Sequence, residues 1–164
     1  MSNDIALQAI NLVKHFSTGS SGVLGRATNI VQAVDGVSFT LPQGKTLGIV
    51  GESGCGKSTL ARLVTRLIEP SSGSVVLDGV DITNLSGKAL REMRRKLQII
   101  FQDPYSSLNP RHSIGQIIGD PMRIQGIVSK TNEKAEVQDL MQRVGLNPEH
   151  YNRYPHEFSG GQRQ

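Results

Sequence analysis

Apolar and polar residues alternate loosely over residues 5–16, with Ile5, Leu7 and Ala9 in one phase and Leu12 and Val13 breaking it. That pattern predicts an edge strand running into a turn. The Ser/Gly-rich stretch 17–29 reads as a surface insertion or flexible loop. A second strand is predicted over 31–41, carried by Val31, Ala33, Val34, Val37, Phe39 and Leu41 and closed by the turn signal Pro42-Gln43-Gly44. Residues 46–50 differ in kind. Leu47, Gly48, Ile49 and Val50 run on without polar relief, the pattern of a strand covered on both faces in a parallel sheet.

The period changes at residue 57. Leu60, Ala61, Leu63, Val64, Leu67 and Ile68 recur at helical spacing and Pro70 stops the pattern, which predicts a helix over 57–68. A short strand over 74–78 precedes a turn at Gly79, a basic helix spans 88–96, and 97–101 reads as another buried strand. Beyond Pro104 the chain reads as loop and helix to residue 157, with 114–118 and 133–144 the best helical segments and no convincing strand. Together these predict a mixed α/β core with an appended helical subdomain and no internal repeat.

Composition narrows the picture. A chain of 164 residues, 37% hydrophobic and 20% charged, suits one domain or part of a larger one. No apolar run approaches the ~18 residues of a membrane span. The opening Met1-Ser2-Asn3-Asp4 lacks the basic and apolar regions of a secretory signal, so the chain is expected to be soluble and to face the cytosol. A single cysteine excludes an internal disulfide framework, and His15, His112, His150 and His156 lack the spacing of a metal site. The formal net charge is +4. Residues 88–96 hold Lys88, Arg91, Arg94, Arg95 and Lys96 against Glu92, and without interleaved aromatics they read as a solvated helix face and not as a nucleic-acid site.

The chemistry is concentrated at Gly51-Glu52-Ser53-Gly54-Cys55-Gly56-Lys57-Ser58, which fits GxxxxGKS and lies between a predicted buried strand and a predicted helix. A polyphosphate must be wrapped by inward-pointing backbone N–H groups, and glycines permit the positive φ angles and close approach that wrapping requires. The helix start adds further N–H donors and a partial positive charge. Lys57 would reach the β- and γ-phosphates and Ser58 would offer its hydroxyl to Mg²⁺. Cys55 reads as a small filler whose thiol is open to modification. The DxxG and NKxD signals of GTPases are missing, since Asp78-Gly79-Val80-Asp81 does not supply the former. Val75-Val76-Leu77-Asp78 mimics an apolar strand ending in a Mg²⁺-binding Asp, but it lacks a following Glu and falls in a turn-rich stretch, so it reads as a peripheral hairpin.

Phe158-Ser159-Gly160-Gly161-Gln162-Arg163-Gln164 resembles the LSGGQ signature of ATP-binding cassette (ABC) ATPases, with Phe158 in place of the usual leucine. Ile99-Ile100-Phe101-Gln102-Asp103-Pro104 is similar to that family's Q-loop. The runs 105–111 and 153–157 resemble the oligopeptide/dipeptide importer branch, a look that glutathione and nickel importers share. The resemblance implies a P-loop NTPase fold with an antiparallel β subdomain and an inserted helical subdomain. About 1–102 would form the RecA-like core and β subdomain, about 103–157 the helical subdomain and 158–164 the signature. It implies ATP and Mg²⁺ as cofactors. Phe16 would stack on adenine, and residues 51–59 (Gly51, Glu52, Ser53, Gly54, Cys55, Gly56, Lys57, Ser58, Thr59) would hold the phosphates. Ser58 and Gln102 would serve Mg²⁺, with Gln102 also positioning water. Ser159, Gly160, Gly161 and Gln162 would face the ATP bound by a second subunit.

The partners implied are a second ATPase subunit in a head-to-tail dimer, transmembrane permease subunits and, indirectly, a solute-binding protein, with no nucleic acid. The place implied is the cytoplasmic face of the inner or plasma membrane, held peripherally. In the family the Mg²⁺-binding Asp strand, the glutamate acting as general base and the switch histidine follow the signature, so the chain ending at Gln164 is expected to be an N-terminal fragment, inactive in hydrolysis alone. Two other readings stand beside the importer subunit: a nucleotide-binding module without hydrolysis, and a non-transport ABC ATPase of DNA repair or translation.

Overall fold

The computed structural model describes residues 5–18 and 29–164. Most of the stretch 17–29 read as a loop therefore lies outside the described residues. The chain divides into two compact units, with the boundary between Ile99 and Ile100.

The first unit is built on a four-stranded antiparallel sheet. Its strands are β1 (Ile5–Thr18), β2 (Asn29–Pro42), β3 (Ser72–Leu77) and β4 (Val80–Asp81), in the order β2-β1-β3-β4. β1 is thus an inner strand, paired on both sides, and not the edge strand that its loose alternation predicts. The looseness has a local cause. Ala9 pairs with Phe39 and Leu12 with Val37, so β1 carries one more residue than β2 over this interval. This β-bulge shifts the alternation by one and turns Leu12 inward beside Leu7 and Ala9, all three buried. Asn11 takes the unusual φ of 48, with its N–H donated to Ser38 Oγ at 2.8 Å. Across β1, Gly73 at φ 86 accommodates the bulge, since a Cβ there would lie 2.2 Å from the Asn11 carbonyl oxygen.

Helix α1 (Lys57–Val64) contributes Leu60 and Leu63 to a core completed by Leu7, Ala9, Leu12, Val34, Val75, Leu77 and Ile82. Burying each such leucine contributes about 1.5–3 kcal/mol. The helix ends a turn earlier than its apolar period predicts. Thr65 Oγ1 donates back to the Ala61 carbonyl at 2.8 Å. Arg66 then adopts a left-handed φ of 53, and the Leu67 N–H returns to the Arg62 carbonyl at 2.9 Å. The terminator is this left-handed C-terminal turn and not Pro70. β3 and β4 form the predicted hairpin about Asp78-Gly79, and α2 (Gly87–Arg94) follows. At the β4 end, the hydroxyl and backbone N–H of Thr83 hold the Asp81 carboxyl below its ordinary pKa.

Residues 46–50 and 97–101 are not strands in the structure. Val50 is 92% and Ile100 86% exposed. Their composition calls for burial in a sheet, but among the described residues no strand pairs with either segment, and a parallel strand exists only through its neighbours.

The second unit is helical: α3 (Pro104–Ser107), α4 (Ile114–Ile124), α5 (Glu133–Arg143), short 3₁₀ turns at Pro148–Asn152 and Pro155–Glu157, and α6 (Gly160–Arg163). α4 starts with a reciprocal cap between Ser113 and Gln116 and runs beyond the predicted 114–118, through Pro121. Its Gly115 lies flat against Tyr151, where a Cβ would approach the ring to 2.4 Å. Ile114, Val137, Met141 and Phe158 form the core of this unit.

Candidate functional site

The glycine-rich loop leads directly into α1. Gly54 and Gly56 take φ of 84 and 95, and Gly56 is the N-cap of the helix. At Gly56 two demands coincide: the backbone is left-handed, and a Cβ would stand 2.2 Å from the Ala33 carbonyl oxygen on β2. Only glycine meets both. At Gly54 the space is open, so the backbone angle alone favours glycine.

Lys57 folds its side chain back over the loop. Its Nζ donates to the Gly51 carbonyl at 2.8 Å and the Glu52 carbonyl at 2.6 Å, and lies 3.5 Å from Cys55 Sγ. Cys55 N–H donates to the Glu52 carbonyl at 3.3 Å, which closes the turn. An ammonium thus stands within a ring of backbone at a helix N-terminus whose first turn holds no acidic residue. The first N–H groups of an α-helix have no intrahelical acceptor, so positive potential from the lysine and from the helix superimposes here. Ser58 is exposed and Thr59 half-buried on the same first turn. Chemically, such an arrangement can accommodate an anion such as a polyphosphate, and the Ser58 hydroxyl is a hard oxygen donor of the kind Mg²⁺ accepts.

Phe16 lies on β1, 40% exposed, with Lys14 Nζ 5.2 Å from its ring centroid. It pairs with Val31 on β2, close in the chain to the Ala33 that abuts Gly56. The β1–β2 ladder therefore carries this aromatic to the neighbourhood of the loop. Gln102 and residues 159–162 belong to the second unit. Gln102 is exposed just before α3. Ser159 caps α6: its Oγ accepts the Gln162 N–H at 3.3 Å while Gln162 Oε1 accepts the Ser159 N–H at 3.0 Å. The serine oxygen keeps its own proton to donate outward. Phe158, ahead of it, is 5% exposed and meets His150 edge-on at 5.9 Å, so the aromatic anchors the Ser-Gly-Gly turn to the core of its unit.

Asp78 does not act as the end of a buried parallel strand. It sits at φ 47 in the β3–β4 turn, with its carboxylate 3.1 Å from Lys96 Nζ. One residue that sequence patterning passes over is Arg66, buried at 4% exposure. An arginine at a helix end reads as a solvated cation, and no periodic signal marks this one as enclosed.

The chain matches the ABC transporter family over residues 34–164. It is 48% identical over 161 residues to the di/tripeptide transport ATP-binding protein DppF of Pseudomonas aeruginosa, covering 98% of this chain and 49% of that protein. It is 49% identical to the oligopeptide transport ATP-binding protein AppF of Bacillus subtilis, covering 93% and 46%, and 51% identical to the glutathione import ATP-binding protein GsiA of Escherichia coli, covering 96% and 25%. The chain thus spans about half the length, or less, of these curated relatives. Among solved structures, a dimeric bacterial ABC transporter cassette aligns with a TM-score of 0.77 at 24% identity, covering 96% of this chain and 65% of that one. A cassette in a post-hydrolysis state, bound to ADP and Pi, aligns at 0.76 with the same identity and coverage. These likenesses establish the fold as that of an α/β ABC cassette. Among the described residues, no helix is long and apolar enough to cross a membrane.

Proposed function

Since the chain belongs to the ABC transporter family, we propose that residues 51–59 bind ATP and that the protein is the ATP-binding, energy-coupling subunit of an importer for oligopeptides or dipeptides. The observation that carries ATP binding is the Lys57 ammonium set among the Gly51 and Glu52 carbonyls at the start of a helix whose first turn holds no acidic residue. Lys57 neutralises phosphate charge, the first-turn N–H groups of α1 donate to phosphate oxygens, and Ser58 contributes its hydroxyl to Mg²⁺. Bound there, Mg²⁺ would offset charge on the phosphates. Phe16 would stack on the adenine, and Gln102 would serve Mg²⁺ and position water. Ser159, Gly160, Gly161 and Gln162 present the capped start of α6 to the nucleotide of a second subunit in a head-to-tail dimer.

On this reading about 1–102 form the nucleotide-binding core and β subdomain, about 103–157 the helical subdomain that meets transmembrane permease subunits, and 158–164 the signature. In the working assembly the subunit lies on the cytoplasmic membrane face and couples ATP hydrolysis to transport of a solute delivered by a binding protein. Peptide transport is favoured by what the DppF and AppF relatives are named for. Titration of labelled ATP into the protein and its Lys57→Ala variant tests the central claim. Loss of most of the affinity in the variant is expected; unchanged affinity refutes the assignment of the loop.

A further inference from the structure

Among the described residues, Arg66 is the one charged residue that is buried. Its Nε donates to the Ile82 carbonyl at 3.0 Å and its Nη2 to the Leu85 carbonyl at 3.4 Å, while Nη1 is buried with no hydrogen-bond partner. No ion pair among the described residues includes it. The hydrogen-bond acceptors of this enclosed positive charge are neutral carbonyls, an arrangement that favours an anion nearby.

Arg66, Glu69, Thr83, Asn84, Leu85 and Ser86 line a cleft of about 200 Å³. α2 begins at the same cleft. Ser86, its N-cap, is extended at φ −140, its side chain makes no capping hydrogen bond, and the first turn holds no acidic residue. The N–H groups of that turn lack intrahelical acceptors and carry the positive end of the helix dipole. Two independent sources of positive charge, the side chain that follows the C-terminus of α1 and the N-terminus of α2, therefore converge on one cleft.

We propose that this cleft binds a small phosphate-type oxyanion. The N–H groups at the start of α2 and the Ser86 hydroxyl donate to it directly, and the buried Arg66 guanidinium supplies charge from beneath. A dianion suits paired positive sources better than a singly charged carboxylate does. Glu69 is the acid of the cleft lining and opposes binding, so Glu69→Gln is expected to tighten it.

Amide-resolved NMR of the full chain during titration with inorganic phosphate, at ionic strength held constant with chloride, provides the test. Saturating shifts are expected at Gly87 and Lys88. They should survive Lys57→Ala, which removes the phosphate loop's lysine, and weaken at least about tenfold in Ser86→Asp, whose carboxylate caps α2 and takes the place of the anion. Asp is a favoured N-cap, so that variant keeps the fold. Shifts confined to 51–59, shifts that never saturate, or a Ser86→Asp protein that binds unchanged would each overturn the proposal. Acetate run in parallel is expected to bind more weakly, and tighter binding of acetate would overturn the choice of phosphate. A Glu69→Gln protein that binds phosphate no more tightly would count against the cleft as the seat of the shifts.

Discussion

Gly54→Ala and Gly56→Ala form a matched pair that separates backbone strain from steric collision in the loop. Both glycines have left-handed φ, 84 and 95, so each new side chain meets a similar conformational penalty. That penalty is about 1–2 kcal/mol, offset by roughly 0.4–1 kcal/mol from the narrower unfolded ensemble of alanine. At Gly54 nothing stands within 4 Å of the added Cβ, so the loss should stay near 1 kcal/mol. At Gly56 the Cβ would lie 2.2 Å from the Ala33 carbonyl oxygen, far inside the C···O contact of about 3.3 Å. The obstacle is main chain of β2 at an irregularity of the ladder, where Ala33 is flanked by the pairs Lys14–Val34 and His15–Gln32. It has no rotamer to change, so the helix start must move, at an overpacking cost of about 1–3 kcal/mol more. Urea unfolding followed through β1 and β2 amide resonances measures the difference, and an ATP titration at low urea reports the displaced loop. Equal destabilisation of the two variants, or a Gly56→Ala protein with native ATP affinity, would refute the claim that β2 braces the loop.

Phe158→Ala should destabilise the helical unit by about 3–5 kcal/mol, read as earlier urea unfolding of α4 and α5 resonances, because the ring fills the core formed with Ile114, Val137 and Met141. Asp78→Asn should leave ATP affinity unchanged, since that carboxylate engages Lys96 in a hairpin turn; a large loss would restore it as a Mg²⁺ ligand. The chain by itself should release no more phosphate from ATP than its Lys57→Ala variant does, and turnover lost on that substitution would reveal an unrecognised base. Thr83 lowers the Asp81 pKa in the folded state, so its contribution to stability is present at neutral pH and lost as pH falls from the ordinary aspartate value through the lowered one. A carboxyl titration by NMR should show Asp81 moving back toward its ordinary value in Thr83→Val.

Local backbone order was legible along the chain. The glycine and lysine spacing of 51–58 predicted a turn running into a helix start, and the structure sets Gly56 as the left-handed N-cap and Lys57 as the first residue of α1. The periods of 57–68 and 133–144 found α1 and α5, since burial of Leu60, Leu63, Val137 and Met141 is decided by one face of one helix. Partnership between distant segments was not legible. An extra residue near Asn11 blurred the alternation of β1, and only pairing with both β2 and β3 shows it to be an inner strand. Residues 46–50 and 97–101 carry the composition of buried strands, yet composition states a demand for neighbours without supplying them, and among the described residues neither segment has a ladder. Arg66 is the converse case. Its type speaks for solvent, but the left-handed turn after α1 directs the side chain under Ile82 and Leu85, and its burial is a property of the packed unit alone.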